Sequence, residues 1–173
     1  ELSSAASDVY KRQMQCRAKL EDLPQIVSWP MDGGAYITLP QVYSEHPDHI
    51  GNPFKSNLGM YRIQMSGNEY IKNKEIGLHY QIHRGIGVHQ KLYNDRKKPF
   101  KVAIFIGGSP SMAFSAVMPL PEGMPEVAFS GLMAGRNFRY TTYQGWTIAA
   151  DADFAIIGTI QPSMKPEGPF GDH

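Results

Sequence analysis

Lys101-Val102-Ala103-Ile104-Phe105-Ile106 decides the fold. The run is apolar without alternation, and Gly107-Gly108-Ser109-Pro110 halts it. That pattern predicts a strand buried on both faces with a turn at its end. Downstream, Ser109 is a fair N-cap and Pro110 suits a first helical position, so 111–117 predicts one or two helical turns. Residues 122–134 predict a helix closed by Gly135, 140–142 and 146–149 short strands, and 153–160 a strong last strand. Upstream, 91–99 reads as a charged surface connection, 84–88 as a glycine-punctuated bend and 75–83 as a strand. Residues 58–65 alternate apolar and polar and predict one strand. Residues 44–55 predict a loop, 35–39 a strand behind the turn at Trp29–Gly34, and 19–29 a short helix or an irregular lead-in. Six or seven strands, two short helices and few long crossovers predict a mainly β, α+β domain with inserted helices and exclude a doubly wound sheet.

Composition bounds the rest. A length of 173 residues suits one domain with a real core, and 42% hydrophobic against 19% charged residues places the chain in the globular class. Lys plus Arg number 17 against 16 acids, which gives no basic footprint for nucleic acid. No apolar run approaches the roughly 18 residues of a membrane span. One cysteine, Cys16, excludes an internal disulfide framework and fits a reducing, cytoplasmic compartment. Residues 1–13 lack the apolar middle of a signal peptide and resemble an adapter-derived, non-native leader. The expected organisation is therefore that leader, a lead-in over 14–30, and one domain over 31–173.

The polar residues that could carry chemistry are few. Asn57 opens a predicted strand and Arg62 lies five residues on. His83 and Arg84 end the next strand, and Glu126 lies near a helix start. Glu167 and Asp172 share the last stretch, Pro166-Glu167-Gly168-Pro169-Phe170-Gly171-Asp172-His173, whose glycines and prolines predict a tight, shaped loop. Taken singly, these are a turn residue, an ion-paired arginine, a surface histidine, a helix-dipole acid and solvated loop charges. Taken together, an amide oxygen, an imidazole and a carboxylate suit Mn²⁺ or Mg²⁺ beside phosphate oxygens. An arginine with a carboxylate partner can grip a substrate acid, and a second, shielded acid can deliver a proton.

Five pieces then carry a resemblance: WPMDGGAYITLP, NLGMYRIQ, IHRG, MPLPEGMPEVAFSGLMAGR and PEGPFGDH. In order and rough spacing, from about Leu23 to the end, the chain resembles the UbiD family of decarboxylases, which use prenylated flavin mononucleotide (FMN). The resemblance implies a split β-barrel, flavin reductase-like cofactor domain. It implies Asn57, His83 and Glu126 as ligands of Mn²⁺ (or Mg²⁺), with His79 the alternative histidine. It implies K⁺ beside that metal, on carbonyls near Ser115, Ala116 and Met118. Met60, Tyr61, Arg62, Arg84, Ala116, Met118 and Pro119 would join Asn57, His83 and Glu126 around the cofactor. Arg62 would orient the substrate carboxylate, Glu167 would orient Arg62, and Asp172 would be the proton donor, on a shorter side chain than the glutamate of many members. The implied activity is reversible, non-oxidative decarboxylation of an aromatic or α,β-unsaturated acid by a carboxy-lyase, in ubiquinone or menaquinone biosynthesis or in aromatic acid metabolism. A flavin prenyltransferase would supply the cofactor, and a further domain would cover the substrate and drive homo-oligomer formation. Two other classes stay open: an FMN-dependent split-barrel oxidoreductase with a nicotinamide site and no metal, and a non-catalytic cofactor-binding module.

Overall fold

The structure is a computed structural model that describes residues 17–83, 85–121 and 123–171. The apolar run forms β6 (Phe100–Ile106), after β1 (Tyr36–Ile37), β2 (Gln41–Glu45), β3 (Ser56–Met60), β4 (Arg62–Gln64) and β5 (Gly77–His79). β7 (Tyr140–Tyr143), β8 (Trp146–Ala149) and β9 (Phe154–Ile160) follow it. Among the described residues, three α-helices, α1 (Gly85–Asp95), α2 (Pro110–Val117) and α3 (Glu126–Ala134), and two 3-10 turns, Leu20–Asp22 and Pro53–Lys55, complete the elements. All strand pairings are antiparallel, in a four-stranded sheet ordered β3-β2-β6-β9, a three-stranded sheet β1-β4-β5 and a β7-β8 hairpin.

β6 lies between β2 and β9 and is buried on both faces, as the sequence predicts. Its alternation feeds two cores. Ala103 and Phe105 pack with Met112 of α2 and Val127 of α3. Val102 and Ile104 pack with Ile86 and Tyr93 of α1. Full burial of a side chain such as Phe105 contributes about 2–3 kcal/mol.

The structure corrects three expectations. Residues 84–99, expected as a bend and a surface connection, hold the eleven-residue helix α1. Its buried face runs Ile86, His89, Tyr93, at helical spacing. Gly87 is there because a Cβ would collide with the Ile82 carbonyl, so the glycine permits close packing instead of a bend. Residues 58–65, expected as one strand, are split between β3 and β4, which belong to different sheets. The chain changes sheet at Tyr61, whose ring folds back over Gly59. Finally, β2 extends through Ser44 and Glu45, where a loop was expected. Polar Gln41 and Ser44 are buried there because Gln41 Nε2 donates to the Gly107 carbonyl at 2.9 Å and Ser44 Oγ bonds His89 Nδ1 at 2.9 Å. The leader, Cys16, Arg84, Asp172 and His173 lie outside the described residues.

Candidate active site

β3 is an edge strand of the four-stranded sheet, and all three helices pack against it. Leu58 N–H, unused by β2, donates at 3.2 Å to Glu126 Oε2, in the first turn of α3. In an antiparallel ladder alternate residues aim the same way, so Met60 also presents its backbone to this open edge. Asn57 points to the opposite face of the sheet. Its Nδ2 donates to Tyr61 Oη at 3.2 Å, and its Oδ1 lies where a Cβ of Gly85 would be. Glycine at the start of α1 therefore lets the amide oxygen approach helix backbone. His83 is exposed two residues before Gly85, in the turn that leads into α1. Ala116 lies at the end of α2, with Met118 and Pro119 just beyond it.

Burial raises the pKa of Glu126 above the ordinary carboxylate value, against the pull of backbone hydrogen bonds. Among the described residues no lysine, arginine or histidine pairs with it. Glu126 is a half-buried carboxylate without a cation at the edge of the strand that carries the Asn57 amide, and oxygen donors of these two kinds suit a hard divalent ion. No three His, Cys, Asp or Glu side chains gather into such a group among the described residues. The fit therefore rests on Asn57 and Glu126; His83 is an exposed turn residue with no contact to either among the described residues.

The second half of the site joins β4 to the last stretch. Arg62 Nε donates to Glu167 Oε1 at 2.6 Å and Nη2 to Oε2 at 2.8 Å, a bidentate pair. The Phe170 ring centroid lies 4.4 Å from the guanidinium carbon, and the ring packs tilted against Tyr36 with centroids 4.8 Å apart. The last stretch is docked through its backbone. Gly168 N–H donates to buried Gln64 Oε1 at 2.9 Å, Gly171 N–H to Asp32 Oδ1 at 2.7 Å, and the Pro169 carbonyl accepts from Gly33 N–H at 2.7 Å. The Pro166 carbonyl accepts from Asn68 and Tyr70, and Lys165 pairs with Glu75 at 2.5 Å. Burial first, and Glu167 second, raise the hydroxyl pKa values of Tyr36 and Tyr70 beside this loop.

Of the residues singled out from sequence, Arg62 and Glu167 meet directly, whereas Glu126 bonds the backbone of Leu58 and the neighbouring Asn57 side chain turns to Tyr61 and Gly85. Arg62 follows Met60 after one residue, so both pairs hang on one continuous stretch of chain. Gln64, Asp32, Gly33 and Phe170, which build the dock, were missed. The signal was present in part: Asp32-Gly33 and Gly168 are turn residues, but a sequence does not say which turns touch. His79 was assigned only as an alternative metal ligand; its Nδ1 lies 2.9 Å from Glu167 Oε2.

Comparisons with known proteins agree with this architecture. Residues 2–173 match the family model described as UbiD: 3-octaprenyl-4-hydroxybenzoate carboxy-lyase Rift-related domain. A Chlamydia pneumoniae protein, named as one of the subunits of 4-hydroxybenzoate decarboxylase, is 39% identical over 157 residues, which span 89% of this chain and 25% of that protein. Vanillic acid decarboxylase of Sedimentibacter hydroxybenzoicus superposes with a TM-score of 0.69 at 27% identity, over 87% of this chain and 30% of its own. The UbiD-class enzyme HmfF of Pelotomaculum thermopropionicum, solved in complex with FMN, shares the fold with a TM-score of 0.73 at 22% identity, over 87% of this chain and 32% of its own. This chain thus spans about a quarter to a third of the relatives it matches.

Proposed function

Because the chain belongs to the UbiD family, we propose that it is the flavin-binding part of a carboxy-lyase that removes CO₂ reversibly from an aromatic or α,β-unsaturated acid. The observation that carries this reading is the bidentate Arg62–Glu167 pair standing one residue beyond the β3 edge where Asn57 and Glu126 lie. The domain over 31–173 is the cofactor unit, behind a lead-in over 14–30. Its two antiparallel sheets, joined through β3 and β4, are the halves of a split β-barrel.

Asn57, His83 and Glu126 would hold Mn²⁺ or Mg²⁺ against the phosphate of prenylated FMN, with K⁺ beside it on carbonyls near Ser115, Ala116 and Met118. Met60, Tyr61, Arg84 and Pro119 would line the same cofactor. When bound, prenylated FMN supplies an electron sink for the charge left as CO₂ departs. Arg62 binds and orients the substrate carboxylate. Glu167 keeps the guanidinium planar to it and holds an ionised partner in place. Phe170, backed by Tyr36, covers the guanidinium and thins the water around it, which strengthens each charged contact. Asp172 carries the proton delivered to the carbon that loses CO₂. The physiological setting is quinone biosynthesis or aromatic acid metabolism in the cytoplasm, in a homo-oligomer supplied by a flavin prenyltransferase. Among the described residues no helix is long and apolar enough to cross a membrane.

The test is direct. The full-length protein, produced together with a flavin prenyltransferase, is assayed for CO₂ release across a panel of aromatic and unsaturated acids. Arg62→Ala and Glu167→Gln are expected to lose turnover; normal rates in both would sink the assignment. Stoichiometric Mn²⁺ that disappears in Asn57→Ala separates this reading from a metal-free flavin oxidoreductase.

A further inference from the structure

We propose that His79 is a positioning residue of the Arg62–Glu167 clamp, bracing Glu167 from a second strand. The inference rests on the reading of Arg62 and Glu167 given above. Arg62 and His79 are direct partners in the β4–β5 register, so both side chains rise from one face of the three-stranded sheet. Glu167 comes from the other side, on the docked last stretch. Its Oε1 accepts from Arg62 Nε and its Oε2 from Nη2, and His79 Nδ1 lies 2.9 Å from the same Oε2.

A carboxylate gripped by a guanidinium only accepts, so the imidazole is the partner able to donate, from Nδ1. The imidazole of His79 is 56% exposed and Glu167 16% exposed, and Nε2 has no partner among the described residues. His79 is thus a half-exposed side chain whose Nδ1 faces Glu167.

The physical consequence concerns aim. Two parallel hydrogen bonds from one planar group leave a carboxylate able to rock about the axis joining the pair. A third contact, from a strand hydrogen-bonded to the first, removes that freedom. The guanidinium is then aimed at the incoming carboxylate before it arrives, and the ordering cost is met by the fold. His79 therefore acts through Glu167 and Arg62, and its effect belongs to substrate binding more than to bond cleavage.

The experiment uses the full-length, cofactor-loaded enzyme with the best acid from the panel. His79→Asn places an amide N–H near the position of Nδ1, whereas His79→Leu removes the donor. His79→Gln, whose amide reaches beyond that position, serves as a polar substitute if the leucine variant fails to fold. The expected result is a KM raised about tenfold in His79→Leu and His79→Gln with kcat changed far less, and a KM close to wild type in His79→Asn. All three variants keep full Mn²⁺ content, because His79 faces Glu167 and the metal role falls to His83. An unchanged KM in the leucine and glutamine variants overturns the inference, as does equal damage in His79→Asn or loss of Mn²⁺. Normal turnover in Arg62→Ala is a different failure, since it removes the clamp reading itself.

Discussion

Arg62 and Glu167 are 105 residues apart in the chain and are joined by two hydrogen bonds of 2.6 and 2.8 Å. Arg62 sits on an internal strand, whereas Glu167 sits on a stretch with no regular secondary structure. The pair is therefore only as well placed as the dock that fixes 166–171 against 32–36 and 64–70. That dependence sets the first two predictions.

Arg62→Lys keeps the charge and loses the planar fork. Glu167 then has one point contact in place of two parallel bonds. The kcat/KM of the full-length enzyme is expected to fall by about a hundredfold, with thermal stability within about 1 kcal/mol of wild type. Steady-state kinetics and a thermal melt check both.

Gly33→Ala tests the dock. A Cβ at Gly33 would collide with the Gly168 carbonyl, and Gly33 N–H holds the Pro169 carbonyl at 2.7 Å. The substitution is expected to release 166–171, to cost about 1–3 kcal/mol, and to depress activity as strongly as loss of Glu167. Limited proteolysis near Lys165 should speed up, while the sheet core melts cooperatively.

Glu126→Gln separates folding from metal binding. Burial raises the pKa of Glu126, so its charged form is disfavoured in the folded chain. The sign follows: this group's contribution is most favourable below the unfolded carboxylate value and declines as pH rises through the folded one. The metal-free glutamine variant is expected to be more stable than wild type at pH 7, by roughly 2–4 °C in Tm for each kcal/mol gained. It is also expected to lose the stabilisation that added Mn²⁺ gives the wild type. Thermal melts with and without Mn²⁺ read both effects.

His89 predicts an acid-labile sheet–helix contact. It is 9% exposed, bonds Ser44 Oγ at 2.9 Å, and burial lowers its pKa to about 4 from 6.5. His46 adds to the lowering and Glu45 opposes it. A depressed folded value means that stability is full above pH 6.5 and is lost as pH falls from 6.5 toward about 4. The loss is on the order of 3 kcal/mol. Denaturant titrations across that range should show the slope, and His89→Gln should flatten it.

Legibility followed the range of the forces involved. The strand at 100–106, the helices after Ser109 and before Gly135, and the last strand were readable because burial and capping leave local patterns. Helix α1 was hidden because Gly85 and Gly87, placed for contacts with Asn57 and Ile82, look like breakers in the sequence. β2 was hidden because its buried polar residues are satisfied by Gly107 and His89, which lie 66 and 45 residues away. Among candidate site residues, Asn57, Arg62, Glu126 and Glu167 stood out through the motifs that contain them, and the structure joins Arg62 to Glu167. His79 and Phe170 were not assigned to the clamp, because their roles exist only against Glu167 and Arg62.

The sequence by itself determined the mainly β class, the doubly buried central strand and the motifs that hold Arg62 and Glu167. Hydrophobic periodicity, proline and glycine act over a few residues and are written where they act. Only the tertiary structure decided that the chain changes sheets at Tyr61, that His79 braces Glu167, and that the last stretch is docked on Asp32, Gly33 and Gln64. Those outcomes depend on backbone hydrogen bonds and charge contacts between segments about 17 to 139 residues apart, as from Arg62 to His79 and from Asp32 to Gly171. No local pattern encodes such pairings, because each partner alone would satisfy water equally well.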